Sequence, residues 1–172
     1  MVGEEVTIAG FAESVRGRGG ICFVTLRDGT GKIQAFLKRG SLDDESFEAV
    51  QSSSRESTIM FRGNVARKRP PKTPEGAPPP PKEYEVTVSA AELLAPAQTP
   101  LPVGVVDDVN VGLDTRLDNR HLDVRRSHVN AMFILRSKVL QYGREHLIEE
   151  GFNEMNSPKI IASASEGGTN LF

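Results

Sequence analysis

Four residues have the types and spacing to do chemistry together: Phe23, Gln34, Arg16 and Glu85. In Ile21–Arg27, Cys22, Val24 and Leu26 fall on one side of an alternating run; in residues 32–38, Ile33, Ala35 and Leu37 do the same. Those apolar sets are the natural core faces of two strands. Phe23, Thr25, Gln34 and Phe36 then point outward. An outward phenyl ring stacks an unpaired base, and an amide, having both a donor and an acceptor, reads a base edge. Arginine holds phosphate or a base, and Arg16 lies in the Arg/Gly-rich stretch just before these strands. Glu85, outward if Tyr84 and Val86 face in, accepts from a base amine. The combination is what single-stranded RNA recognition requires. Singly, each residue has a plainer reading: Phe23 packed under a loop or neighbouring domain, Gln34 a solvated side chain, the arginines ordinary loop residues.

The elements that must position these groups follow from period and punctuation. Residues 5–12 alternate as a strand, with Val6, Ile8 and Gly10 on one side. A loop, Arg16-Gly17-Arg18-Gly19-Gly20, leads to the second strand at 21–27, and Asp28-Gly29-Thr30-Gly31 is a hairpin signal before the third at 32–38. Ser41 reads as a helix cap with acids in the first turn, the helix running to Ser52. Residues 57–66 and 84–90 read as the fourth and fifth strands. Three strands, a helix and two strands is the order of an OB-fold, a five-stranded barrel that often binds oligonucleotides. Between the last two strands lies a proline-rich stretch, 67–82, which cannot donate to a ladder and reads as an exposed loop. From Arg62 to Lys72 there are five basic residues and no acid.

Composition narrows the class. The 172 residues carry a formal net charge of -2, so positive potential for a nucleic acid must be local. The single cysteine, Cys22, excludes an internal disulfide, no His/Cys cluster has zinc-ligand spacing, and a reducing, cytoplasmic setting is expected. The acidic start lacks the features of a signal peptide, and no apolar run is long enough for a membrane span.

Residues 95–113 are rich in Pro, Gly and Val and read as a linker. Acids and arginines then alternate around spaced leucines through Arg125. Residues 127–150 read as a helix, capped by Ser127 and stopped by Gly151, with Val129, Met132, Phe133, Val139, Leu140 and Leu147 near one stripe. Phe152–Ile161 reads as a strand carrying Pro158, and 163–172 as a glycine-containing loop. One helix and one strand cannot bury their own apolar faces. The expected organisation is a barrel at 1–95, a linker at 96–124, and the incomplete start of an α+β domain at 125–172.

Four segments carry a family resemblance. Phe23–Gln34 resembles the anticodon-binding barrel of class II aminoacyl-tRNA synthetases for aspartate, asparagine and lysine. Thr115–Arg125 looks more like the aspartyl enzymes. Gly151–Ile160 resembles motif 1 of class II synthetases, and Ser165–Phe172 resembles the amino-acid-closing loop of aspartyl enzymes of archaeal and eukaryotic type. The resemblance implies ATP- and Mg2+-dependent attachment of L-aspartate to tRNA(Asp) by a homodimeric ligase. It implies that Phe23 stacks on the middle anticodon base, that Gln34 contacts the same region, and that Arg16 sits beside the anticodon loop. It also implies that Glu85 meets the first or third base, that Glu166 with Ser165 holds the aspartate ammonium, and that Pro158 lies in the dimer interface. The ATP-binding motifs, which carry the catalytic arginines, would lie beyond Phe172, so these residues alone are expected to be inactive and to bind no cofactor. The alternatives are an asparaginyl enzyme and a non-catalytic OB-fold RNA-binding module.

Overall fold

The computed structural model describes residues 2–68, 83–106 and 110–157. The chain divides into two compact units, Met1–Pro102 and Val103–Phe172.

The first unit is a barrel. Its strands are β1 (Glu5–Arg18), β2 (Ile21–Arg27), β3 (Lys32–Lys38), β4 (Thr58–Arg67) and β5 (Tyr84–Ala95), with helix α1 (Asp44–Gln51) between β3 and β4. They close in the order β1-β2-β3-β5-β4, every pairing antiparallel except β3 with β5. The order of elements is the expected one. The interior holds Ala12, Cys22, Val24, Leu26, Ala35, Leu37, Ile59, Phe61, Val86 and Val88, and α1 adds Phe47 and Val50 to the same core. Burial pushes the Cys22 thiol pKa up, which suits a core side chain rather than a nucleophile.

Closure uses several local devices, register shifts of β5 against β4 among them. A Cβ on Gly63 would lie 2.1 Å from the Thr87 carbonyl oxygen, so only glycine permits β4 and β5 to approach there. At the other side, β1 slips register between Ala12 and Ser14, leaving Glu13 as an extra residue, a β-bulge. Its carboxylate is held by Arg27 at 3.3 Å and Lys32 at 2.7 Å. The bulge reverses the alternation of β1. Ala12 faces the core, Ser14 and Arg16 face out, and Val15 packs against the core.

Several local expectations need correction. The first strand runs on to Arg18, so Arg16 sits on a strand and not in a loop. The cap of α1 is Asp43, whose Oδ1 accepts from Ser46 N at 2.7 Å; Ser41 lies two residues earlier, in a turn where its amide donates to the Lys38 carbonyl. Tyr84 does not face in with Val86; it is 42% exposed at the start of β5. The Asp28 turn forms as read, its Oδ1 accepting from Thr30 N and Oγ1 and from Gly31 N.

In the second unit, residues 113–123 are not open linker. They form two short helices, α2 (Leu113–Asp118) and α3 (Arg120–Asp123), ahead of the long α4 (Ser127–Glu149). The fully buried Asp123 ties them together. Arg116 grips both its oxygens, at 2.8 and 3.3 Å, Arg120 reaches it at 3.2 Å, and Arg126 lies at 3.9 Å. Ser127 is the first helical residue of α4 and not its cap; Arg126 occupies the cap position with no side-chain cap bond. The helix ends in a Schellman pair: Gly151 N donates to the Ile148 carbonyl and Phe152 N to the Leu147 carbonyl, with Gly151 at φ +88. Residues 152–157 form no strand, and the rest of that expected strand lies outside the described residues. Of the stripe expected on α4 only Val129 is buried. Met132, Phe133, Ile134 and Leu135 are consecutive and all exposed, so apolar side chains surround the helix rather than marking one face.

Arg116, by hydrogen bonding, holds the Asp123 carboxyl below its ordinary value of 3.8. A depressed folded-state pKa stabilises above the unfolded value and loses that contribution as pH falls through the folded one. Asp123→Asn should therefore lower the helical melting temperature at neutral pH, and the gap from the parent chain should shrink as the pH drops below 3.8. Circular dichroism melts of the two chains across pH check this; parallel profiles would show that Asp123 does not anchor the helices.

Candidate nucleic-acid interface

The pairing register lays the outward residues in transverse rows across the barrel wall. Ser14 on β1 faces Thr25 on β2, which faces Gln34 on β3, which faces Glu85 on β5. One step along, Arg16 faces Phe23, Phe23 faces Phe36, and Phe36 faces Thr87. The Glu13 bulge is what brings Ser14 and Arg16 into these rows.

The first row is polar and internally bonded. Ser14 Oγ donates to Thr25 Oγ1 at 3.1 Å, and Gln34 Nε2 donates to Glu85 Oε2 at 2.7 Å. All four side chains are half-buried. The Glu85 contact fixes the Gln34 amide and leaves it one N–H and its Oε1 for a ligand, so the pair offers both donor and acceptor. The second row is aromatic and cationic. The Phe23 and Phe36 rings lie 5.2 Å apart between centroids, tilted by 39°. Such a tilted contact holds Phe23 in place, with the ring half-buried.

Open clefts flank Arg16 on both sides. One, of about 530 Å³, is lined by Arg16, Thr25, Lys32, Gln34, Lys68 and Tyr84 among others. The second, of about 400 Å³, is lined by Arg16, Gly17, Arg18, Ile21 and Phe23. The structure thus brings Phe23, Gln34, Arg16 and Glu85 onto one surface but divides their work. Phe23 and Gln34 are diagonal neighbours serving different clefts, and Glu85 acts on Gln34 directly. Composition-based reading missed the Phe36 support and the Ser14–Thr25 link. The β2–β3 register alone would have found the Phe36 support; the Ser14–Thr25 link also needs the β1 bulge.

The basic stretch looks different at close range. Arg62 is paired with Glu5 at 2.9 Å and Lys68 with Glu83 at 2.6 Å; residues 69–82 lie outside the described part. Pro158, Ser165 and Glu166 also lie outside it.

Residues 6–94 match the family of OB-fold nucleic acid binding domains. The chain belongs to that family. Residues 112–172 match the class II tRNA synthetases of the D, K and N group. The OB-fold chain is 42% identical over 170 residues to the aspartate–tRNA(Asp/Asn) ligase of Methanosarcina barkeri, an alignment covering 99% of this chain and 36% of that protein. Among solved structures it resembles aspartyl-tRNA synthetase from Entamoeba histolytica, with a TM-score of 0.76 and 29% identity, over 95% of this chain and 38% of that one. It resembles asparaginyl-tRNA synthetase from Pyrococcus horikoshii equally in shape, at 0.76 with 27% identity, covering 99% and 37%. The OB-fold chain therefore spans little more than a third of the length of the curated relative it matches.

Phe23 lies outside the core set, so its removal should leave the barrel standing. Phe23→Ala is expected to shift the melting temperature slightly, about 1 kcal/mol of stability from the lost ring pair. Val24→Ala, one residue away but fully buried, should cost roughly 1–3 kcal/mol. Denaturant titrations of both variants check this; a Phe23→Ala loss of about 3 kcal/mol or more would place Phe23 in the core.

Proposed function

We propose that the chain is the tRNA-reading part of an aspartate–tRNA ligase. Residues 1–95 read the anticodon, 96–124 connect, and 125–172 begin the catalytic domain. The observation that carries this is the wall of the barrel: a supported, outward, half-buried Phe23 ring beside Arg16, one row from the Gln34–Glu85 hydrogen bond. In this reading Phe23 stacks on the middle anticodon base and Gln34, oriented by Glu85, reads an edge in the same region. Arg16, standing between the two clefts, meets the backbone of the anticodon loop. Glu85 keeps one oxygen toward the first or third base. The same proposal gives Glu166 and Ser165 to the aspartate ammonium and Pro158 to a homodimer interface.

The whole reaction belongs to the longer relatives, and its assignment to this protein rests on their names and on the match of residues 112–172. That match disfavours a free-standing RNA-binding module. ATP and Mg2+ would serve the adenylation of aspartate. Among the described residues no group of three or more His, Cys, Asp or Glu could hold a metal ion, and no described residue is assigned to the phosphate chemistry. A cytoplasmic setting is part of the proposal; among the described residues no helix is long and apolar enough to cross a membrane. The asparaginyl alternative rests on the structural likeness to the Pyrococcus enzyme. Pyrophosphate exchange by the longer protein, driven by aspartate or by asparagine, separates the two.

Base–aromatic stacking contributes about 1–3 kcal/mol per base. Phe23→Ala should thus weaken binding of the aspartate anticodon stem-loop by roughly tenfold to a hundredfold, while Gln34→Ala should narrow the preference for that anticodon over a scrambled one. Fluorescence titration with both stem-loops measures this. Equal affinity of parent and Phe23→Ala for the aspartate stem-loop would remove the stacking role.

A further inference from the structure

The rows continue past the four residues already assigned. Two residues beyond Arg16 on β1 is Arg18; it faces Ile21 on β2, and Ile21 faces Lys38 on β3. This third row shares the outer face with the Phe23 row and adjoins it. All three side chains are exposed, Ile21 by 41%. Arg18 and Ile21 also line the 400 Å³ cleft whose other wall is Phe23.

The charges of this row stand apart from their neighbours. Among the described residues neither Arg18 nor Lys38 is paired with an acid. The next residue along, Arg39, is paired with Asp44 at 3.2 Å and Glu48 at 3.1 Å and lies 5.0 Å over the Phe47 ring. Asp44 and Glu48 of α1 thus neutralise Arg39 and leave Lys38 without an acidic partner among the described residues. In a protein of net charge -2, two unneutralised cations on either side of an exposed aliphatic side chain form a local site for an anion with an apolar flank. A nucleotide has that makeup: a phosphate beside the hydrophobic face of a sugar and base.

We infer that Arg18, Ile21 and Lys38 form a further nucleotide subsite next to the base stacked on Phe23. Arg18 and Lys38 clamp a backbone phosphate, and Ile21 supports the adjoining sugar or base. The inference rests on the RNA-reading proposal above and lengthens its footprint by one nucleotide. The subsite contributes affinity without base selectivity, because phosphate contacts carry no sequence information directly.

The test is a salt titration of stem-loop binding with the whole chain. Neutralising one phosphate of a single strand contributes about 0.7 to the slope of log affinity against log salt. The double variant Arg18→Gln/Lys38→Gln should flatten that slope by about 0.7 and weaken binding several-fold at moderate salt. The ratio between aspartate and scrambled anticodons should stay as in the parent. Arg39→Gln, whose charge is already neutralised, should leave the slope unchanged. Melting curves of the double variant should match the parent, since both side chains are exposed. An unchanged slope in the double variant overturns the subsite while leaving the anticodon reading intact. An equal flattening by Arg39→Gln overturns it too, because a diffuse field would then explain both. If the parent chain fails to bind the stem-loop at all, the RNA-reading proposal falls, and the subsite with it.

Discussion

A closed five-stranded sheet has one interior, and every second residue of each strand must fill it. That constraint governs the rest of the first unit. Cys22, Val24, Leu26, Ala35 and Leu37 take the interior, so Phe23, Thr25, Gln34 and Phe36 have only the outside. β5 slips register against β4 as well, but the break that shapes this face is in β1. Had its alternation run on unbroken from Val6, Arg16 would point into an apolar core, where an unpaired guanidinium is strongly unfavourable. The extra residue Glu13 reverses the phase. Its ion pairs with Arg27 and Lys32 hold the reversal at the barrel wall.

The outer face then sorts its chemistry by rows. A polar row, Ser14–Thr25–Gln34–Glu85, is tied by its own hydrogen bonds and presents an oriented amide. An aromatic row, Phe23–Phe36, lies next to it with Arg16 at its end. A cationic row with Ile21 at its centre follows. Near-neutral overall charge is compatible with a nucleic-acid surface because many of the acids are spent on cations. They quench Arg39, Arg62 and Lys68, and leave the outer face of β1–β3 to Arg16, Arg18 and Lys38. The basic stretch around Arg62, conspicuous in the sequence, is in part neutralised in the fold.

Much of this was legible in the residues. β2 and β3 are short, strictly alternating and bounded by turn residues, and their limits and faces were readable from period two alone. The Asp28 turn was equally plain. What escaped reading was non-local. A bulge leaves no mark on composition, so the outward turn of Ser14 and Arg16 needed the β1–β2 register. Ser41 and Ser127 are good capping residues by type, but Asp43 and Arg126 stand at the actual helix starts. The stretch 113–126 shows, in sequence, only acids and arginines alternating around spaced leucines. Its meaning depends on Asp123 being wholly buried, which only three-dimensional convergence of Arg116, Arg120 and Arg126 discloses. The roles of Pro158, Ser165 and Glu166 rest on resemblance.

The central claim is that RNA lies on the outer face of β1, β2 and β3 and on no other side of the barrel. Amide chemical-shift mapping of the labelled chain with an aspartate anticodon stem-loop tests it most directly. The account predicts saturable shifts concentrated at Ser14–Arg18, Ile21–Thr25, Gln34–Lys38 and around Glu85, with α1 and the exposed side of β4 unmoved. Shifts centred on β4 or α1, with Phe23 and Gln34 silent, would contradict it.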